Sequence, residues 1–351
     1  MSLAAPHTHF DRPAELTADL PPESRGLRRD EVRLLVASTR AGVTHTRFTR
    51  IAEQLSPGDL VVVNTSATVA AELDARSAHG PCVLHLAGRV GDRRWVVEVR
   101  TAPDAARAVL DHRPGDVLRA GRVEVTLLEP YAGRAASPTQ HGNRLWLAEV
   151  SRPAALSRAL RREGRPIAYG YLGRRLPLAA YQTIFARDPG SAEMPSAGRP
   201  FTHEIVMDLL TRGVQVAPVT LHTGVSSQES GEPPQAEWFR VPAATAALVN
   251  ATRAGGRRVV AVGTTVTRAL ESAVEADRSV EASGWTERVL RPEDPPRLVT
   301  GLVTGLHDPM ASHLHLVESV AGAGLAQAAY DAAVEHGYLW HEFGDSCLFL
   351  P

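Results

Sequence analysis

Three short stretches of this 351-residue chain carry residue types able to do chemistry. The first is Gly263-Thr264-Thr265, with Arg268 one turn further on. It follows the apolar run Val259-Val260-Ala261-Val262 and precedes Val266, Leu270 and Val274, which recur at helical spacing. A strand that turns at a glycine straight into a helix leaves backbone N–H groups unpaired at the helix start. Those groups and the helix dipole suit an anion. Gly263 allows close approach to the backbone, and the hydroxyls and Arg268 add donors and charge. The same residues also fit an ordinary strand-to-helix turn capped by threonine. They form neither a P-loop nor a dinucleotide fingerprint.

The second and third stretches carry histidines at the ends of strand-like runs: His222 in Thr220–Gly224 and His307 in Gly305–Pro309. Both are candidate acid–base groups, although each also suits a loop histidine bonded to backbone. Asp345, between Gly344 and Ser346, is able to accept from a ligand or to cap its own turn. His307, His313 and His315 do not align on one helix face, so no metal is expected from them.

Stepping outward, these residues need strands that end at one edge. The runs Glu31–Ser38, Leu60–Val63, Val214–Leu221, Val259–Gly263, Arg297–Thr304 and Cys347–Leu350 read as strands. Helices are expected over Phe48–Leu55, Pro153–Glu163, Thr202–Arg212, Pro242–Arg253, Met310–Ala321 and Leu325–His336. Alternating strands and helices predict a layered α/β domain, whose ligands bind beyond the carboxyl ends of its strands.

Between 69 and 150 the texture changes to short strands separated by turn signals such as His79-Gly80-Pro81 and Pro114-Gly115, with one helical-looking piece, Ala105–Leu110. That pattern predicts a small antiparallel β-barrel inserted into the α/β domain. The expected division is 1–68 with 151–351, and 69–150 as the insert. Polar loops are expected over 132–143 and 223–236, and 276–296 reads as charged and Pro-rich.

The 38 basic and 39 acidic residues give a net charge of −1, which excludes a broad polybasic surface. Cys82 and Cys347 read as buried free thiols, in keeping with a reducing cytosol. The N-terminal residues lack the apolar core of a signal peptide, and no apolar run reaches membrane-span length.

Along nearly the whole chain the motifs resemble those of the S-adenosylmethionine:tRNA ribosyltransferase-isomerases of queuosine biosynthesis. The matching stretches, in order, are Arg33–Val36, Ser56–Val61 with Asn64, Tyr181–Ala186, Ser196-Ala197-Gly198 with Phe201-Thr202, and Val219–His222 with Gly224. Ala261–Thr265 with Arg268 and Leu270-Glu271, then His307 with Pro309 and Ser312, and finally Gly344-Asp345 complete the series. The resemblance implies an α/β domain with an inserted barrel. It implies transfer of the ribosyl part of S-adenosylmethionine onto an aminomethyl-deazaguanine of tRNA, with loss of adenine and methionine and formation of an epoxide. It also implies that Gly263, Thr264, Thr265, Arg268, Ser196 and Thr202 bind the co-substrate and that His307, His222 and Asp345 act in catalysis.

The chain departs from the family pattern at polar positions. Ala67 and Glu72 stand where the pattern has arginines, and histidines are missing around Arg199 and Pro234–Glu237. Ser226-Ser227-Gln228 is altered, and the segment before Tyr181 is shortened. Weakened but not absent tRNA binding is therefore expected, with Arg161, Arg162, Arg165, Arg174 and Arg175 as a substitute basic face. Two other readings fit these departures: a paralogue using S-adenosylmethionine with a non-tRNA acceptor, and a non-catalytic S-adenosylmethionine-binding protein. A cytoplasmic monomer without metal is expected.

Overall fold

The computed structural model describes residues 4–131, 142–225, 232 and 234–351. The loops expected over 132–143 and 223–236 lie largely outside these, as does Ser226-Ser227-Gln228. A nine-stranded mixed sheet forms the centre. Its order is Ala282–Thr286, Glu237–Val241, Gln215–Leu221, Leu60–Asn64, Val259–Val262, Gly301–Gly305, Ser346–Leu350, Arg33–Ser38 and Gly42–Arg47. The four strands from Gln215–Leu221 to Gly301–Gly305 are mutually parallel, so their carboxyl ends share one edge.

Alternation along these strands builds a core on each face. Leu60 and Val62 pack with the helices Ala243–Ala254, Thr264–Ser272, His313–Ala321 and Ala323–Glu335. Val61 and Val63 pack on the other face with Phe48, Ile51, Ile205 and Leu209. Burial on both faces explains why the central strands read as unbroken apolar runs.

Six strands from Glu72 to Val150 close an antiparallel barrel. Its interior holds Leu84, Val97, Val99, Leu118, Val125 and Trp146, and Leu156 of helix Pro153–Glu163 packs into the same cluster. Ala105–Leu110 is not helical. Ala105 has a φ of 56°, Ala108 bridges Arg100, and the Arg100 guanidinium takes the carbonyls of Ala105 and Ala106 that a helix would use. The strand expected over Arg297–Thr304 pairs only from Gly301. Before it, the N–H groups of Arg297, Leu298 and Val299 donate to the buried Glu271 carboxylate. The edge strands Gly42–Arg47 and Ala282–Thr286, and Glu237–Val241 beside the latter, were not expected.

Cys82 and Cys347 are buried and unbonded. Among the described residues, no helix is long and apolar enough to cross a membrane.

Candidate active site

A cavity of about 700 Å³ opens beyond the carboxyl edge of the parallel strands, within the range of small-molecule sites. Gly263, Thr264, Thr265, Arg268, Ser196 and His307 line it. Gly263 holds φ 95° and ψ 159°, a conformation essentially confined to glycine. Helix Thr264–Ser272 begins there with no side chain capping its first turn, which leaves N–H groups for a guest. Buried Asn64 accepts from the N–H groups of Ser66 and Leu221, and its Nδ2 donates to Leu221 O and, at 3.4 Å, to Thr265 Oγ1. It thereby fixes the strand ends relative to the turn.

Arg268 is not the open cation its position suggested. Its Nε donates to Arg288 O at 3.0 Å, its Nη2 to Gln235 O and Thr286 O, and its Nη1 to the Glu237 carboxylate. Its side chain is 7% exposed and that of Glu237 12%. The guanidinium braces the helix against the sheet edge, and its charge is already paired.

His307 Nε2 lies 2.9 Å from Thr304 Oγ1, and the ring stacks on His313 with centroids 4.7 Å apart. His307 is half-buried, with its ring on the cavity wall. Burial, then His313 and His341, hold its pKa well below the ordinary histidine value, so the ring is neutral. Burial likewise lowers His313 to about 4. His315 turns away toward Ala4 O.

Three expected residues lie outside this cavity. His222 Nδ1 contacts Ser66 Oγ at 2.7 Å, and the ring stacks on Trp238. Asp345 accepts from the N–H groups of Arg33 and Leu339 and pairs with the Arg33 guanidinium at 2.8 Å. It ties the last strand to Arg33–Ser38. Thr202 caps helix His203–Thr211 through Ile205 N.

The structure adds groups to the cavity that residue patterns did not single out: Tyr169, Tyr171, Glu193, Glu237, His341 and Glu342. None sits in a motif with its partners; only folding brings them together. The departed position Glu72 is fully buried and bonded by His85, Arg165 and Arg175. Arg165 also grips Asp74. Two members of the expected basic face are thus neutralised, while Arg161 and Arg162 stay exposed.

The family model described as queuosine biosynthesis protein matches residues 6–349. The S-adenosylmethionine:tRNA ribosyltransferase-isomerase of Carboxydothermus hydrogenoformans is 32% identical over 96% of this chain and 97% of its own length. That of Symbiobacterium thermophilum is 33% identical over 97% and 98%. The crystal structure of S-adenosylmethionine tRNA ribosyltransferase from Thermotoga maritima shares 28% identity, covers 98% of this chain and 100% of its own, and superposes with a TM-score of 0.54.

Proposed function

Because the chain belongs to the queuosine biosynthesis protein family, we propose that it performs the reaction for which its relatives are named, as an S-adenosylmethionine:tRNA ribosyltransferase-isomerase. It transfers and isomerises the ribosyl group of S-adenosylmethionine onto the aminomethyl-deazaguanine of tRNA, giving epoxyqueuosine. The observation that carries this reading is one cavity at the strand edge holding both an uncapped glycine-started helix and a neutral histidine.

The residues present fit the co-substrate. The glycine-only backbone at Gly263, 3.3 Å from Ala197 Cβ for any added Cβ, is a cradle that a side chain would fill. The N–H groups and hydroxyls of Thr264 and Thr265 hold the anionic or ribose end, with Ser196 beside them. Bound S-adenosylmethionine supplies a sulfonium that acidifies its neighbouring carbons. His307 is the group we assign as base. With Nε2–H donating to Thr304 Oγ1, its Nδ1 lone pair remains to take a proton, and its neutral state keeps it competent near pH 7. His222, Asp345 and Thr202 act as supports at the strand ends and helix start, and Arg268 positions the helix.

We assign no step to a metal: the His79, His112 and Asp116 cluster lies in the barrel segment and does not line the cavity. We read residues 1–68 with 151–351 as the catalytic domain and 69–150 as an inserted one. We read the protein as a cytoplasmic monomer whose contact with the tRNA backbone is weak.

Incubation with S-adenosylmethionine, with and without an anticodon stem-loop carrying the aminomethyl base, tests the reading. Adenine and methionine should appear together only with the acceptor. His307→Gln should lose at least about 100-fold in rate, and His222→Gln less than tenfold. Co-substrate binding without adenine release in the presence of acceptor would refute the assignment.

A further inference from the structure

The cavity wall opposite in character to the Gly263 turn is built from rings and carboxyls. Tyr169 stacks on Tyr171 at 6.2 Å, and Tyr171 on His341 at 4.2 Å with planes 14° apart. The Tyr169 hydroxyl donates to the Glu193 carboxylate, and that of Tyr171 to the Glu342 carboxylate. Each phenol fixes one oxygen of its carboxylate. Among the described residues no cation pairs with Glu342 in a salt bridge. Tyr181 completes the wall. Its ring packs on Phe343 at 5.4 Å, and its buried hydroxyl has no protein partner. A buried hydroxyl left unbonded costs about 1–3 kcal/mol, so its place on a cavity wall points to a ligand group.

We infer that Glu193, Glu342 and the Tyr181 hydroxyl form a subsite for a primary ammonium carried on the reactants. Three acceptor groups suit the three N–H donors of R–NH3+. Two carboxyls repel phosphate, so the subsite admits a base with its amine and leaves the nucleic-acid backbone outside. This rests on the reading above, in which the acceptor bears an aminomethyl group and the co-substrate an α-ammonium. In the acceptor case, Glu342 takes one proton from the ammonium and becomes the carboxylic acid. The neutral amine then holds the lone pair that attack on the sugar fragment requires. Burial raises the Glu342 carboxyl above its ordinary range, which favours that transfer.

Isosteric Glu193→Gln and Glu342→Gln are compared with wild type, and Tyr171→Phe serves as a second route to misorienting Glu342. The readouts are kcat/KM for the aminomethyl stem-loop, calorimetric affinity for S-adenosylmethionine, and thermal unfolding as a check of fold. The expected result is at least a tenfold loss of kcat/KM for the stem-loop with co-substrate affinity within threefold. A 7-methyl stem-loop, which lacks the amine, should bind wild type and variants alike. A tenfold loss of co-substrate affinity with an unchanged stem-loop KM supports the subsite and assigns it to the α-ammonium. Folded variants unchanged in both readouts overturn it. If wild type releases no adenine with the stem-loop, the functional reading has failed, and the co-substrate titration alone decides for or against the subsite.

Discussion

Replacing Arg268 by Met separates a bracing role from a ligand-binding one. The substitution removes four donated bonds, to Arg288 O, Gln235 O, Thr286 O and the Glu237 carboxylate. Met fills most of the stem's volume, so lost packing is small. The larger cost is Glu237, left in place with a side chain only 12% exposed. It keeps the Gly224 N–H at 2.9 Å but has no cation. Breaking one partner of a buried pair costs about 3–5 kcal/mol. At about 2 °C per kcal/mol for a chain of this size, the melting temperature should fall by roughly 6–10 °C. Arg268→Met with Glu237→Gln removes both charges and should recover more than half of that loss. Scanning calorimetry of the single and double variants measures both, with titration of S-adenosylmethionine well below the transition. A melting temperature within about 2 °C of wild type for Arg268→Met, with co-substrate affinity down tenfold, would refute the brace. It would show that the charge serves the ligand.

Two further outcomes follow from the geometry. Gly263→Ala forces a side chain into a glycine-only conformation, costing about 1–3 kcal/mol, and sets its Cβ 3.3 Å from Ala197 Cβ; calorimetry should show S-adenosylmethionine affinity down about tenfold or more. In the barrel, His85 and two arginines hold buried Glu98 down at about 2 despite its burial, while the flanking carboxylates Glu72 and Glu98 raise His85. Glu98 therefore adds stability above its ordinary 4.5 that is lost as pH falls toward 2. His85 adds stability below 6.5 that is lost as pH rises through its raised value. Thermal melts across pH should show this network strongest between about 4.5 and 6.5, and Glu98→Gln should flatten the acid limb.

The central sheet was legible because Leu60–Val63 and Val259–Val262 are buried on both faces and read as short unbroken apolar runs. The barrel was legible from turn chemistry at regular spacing. The edge strand Gly42–Arg47 was not: Thr44, His45 and Thr46 show no buried face, and their pairing comes from Arg33–Ser38 beside them. Ala282–Thr286 is likewise mostly unburied, and its pairing comes from Glu237–Val241 beside it. At the site, the Gly-Thr-Thr turn could be read because its chemistry is local. Asp345 was misplaced because its partner, Arg33, lies 312 residues away in sequence. The acidic wall escaped because Glu193 and Glu342 are single loop residues that meet only through the fold.

The same long-range pairing changes what the departure at Glu72 means. As a sequence feature it placed a carboxylate where an arginine was expected to face RNA. In the fold it lies in a closed network with His85, Arg165 and Arg175, fully buried. A buried carboxylate cannot repel a phosphate across solvent as a surface one does, because the adjoining guanidinium groups cancel its field at short range. It bears on backbone contact by pairing the charges of Arg165 and Arg175, whose side chains stay 29% and 42% exposed. With net charge near zero and carboxyls on the cavity wall, the function proposed above draws its affinity for tRNA more from the modified base and its amine than from phosphates.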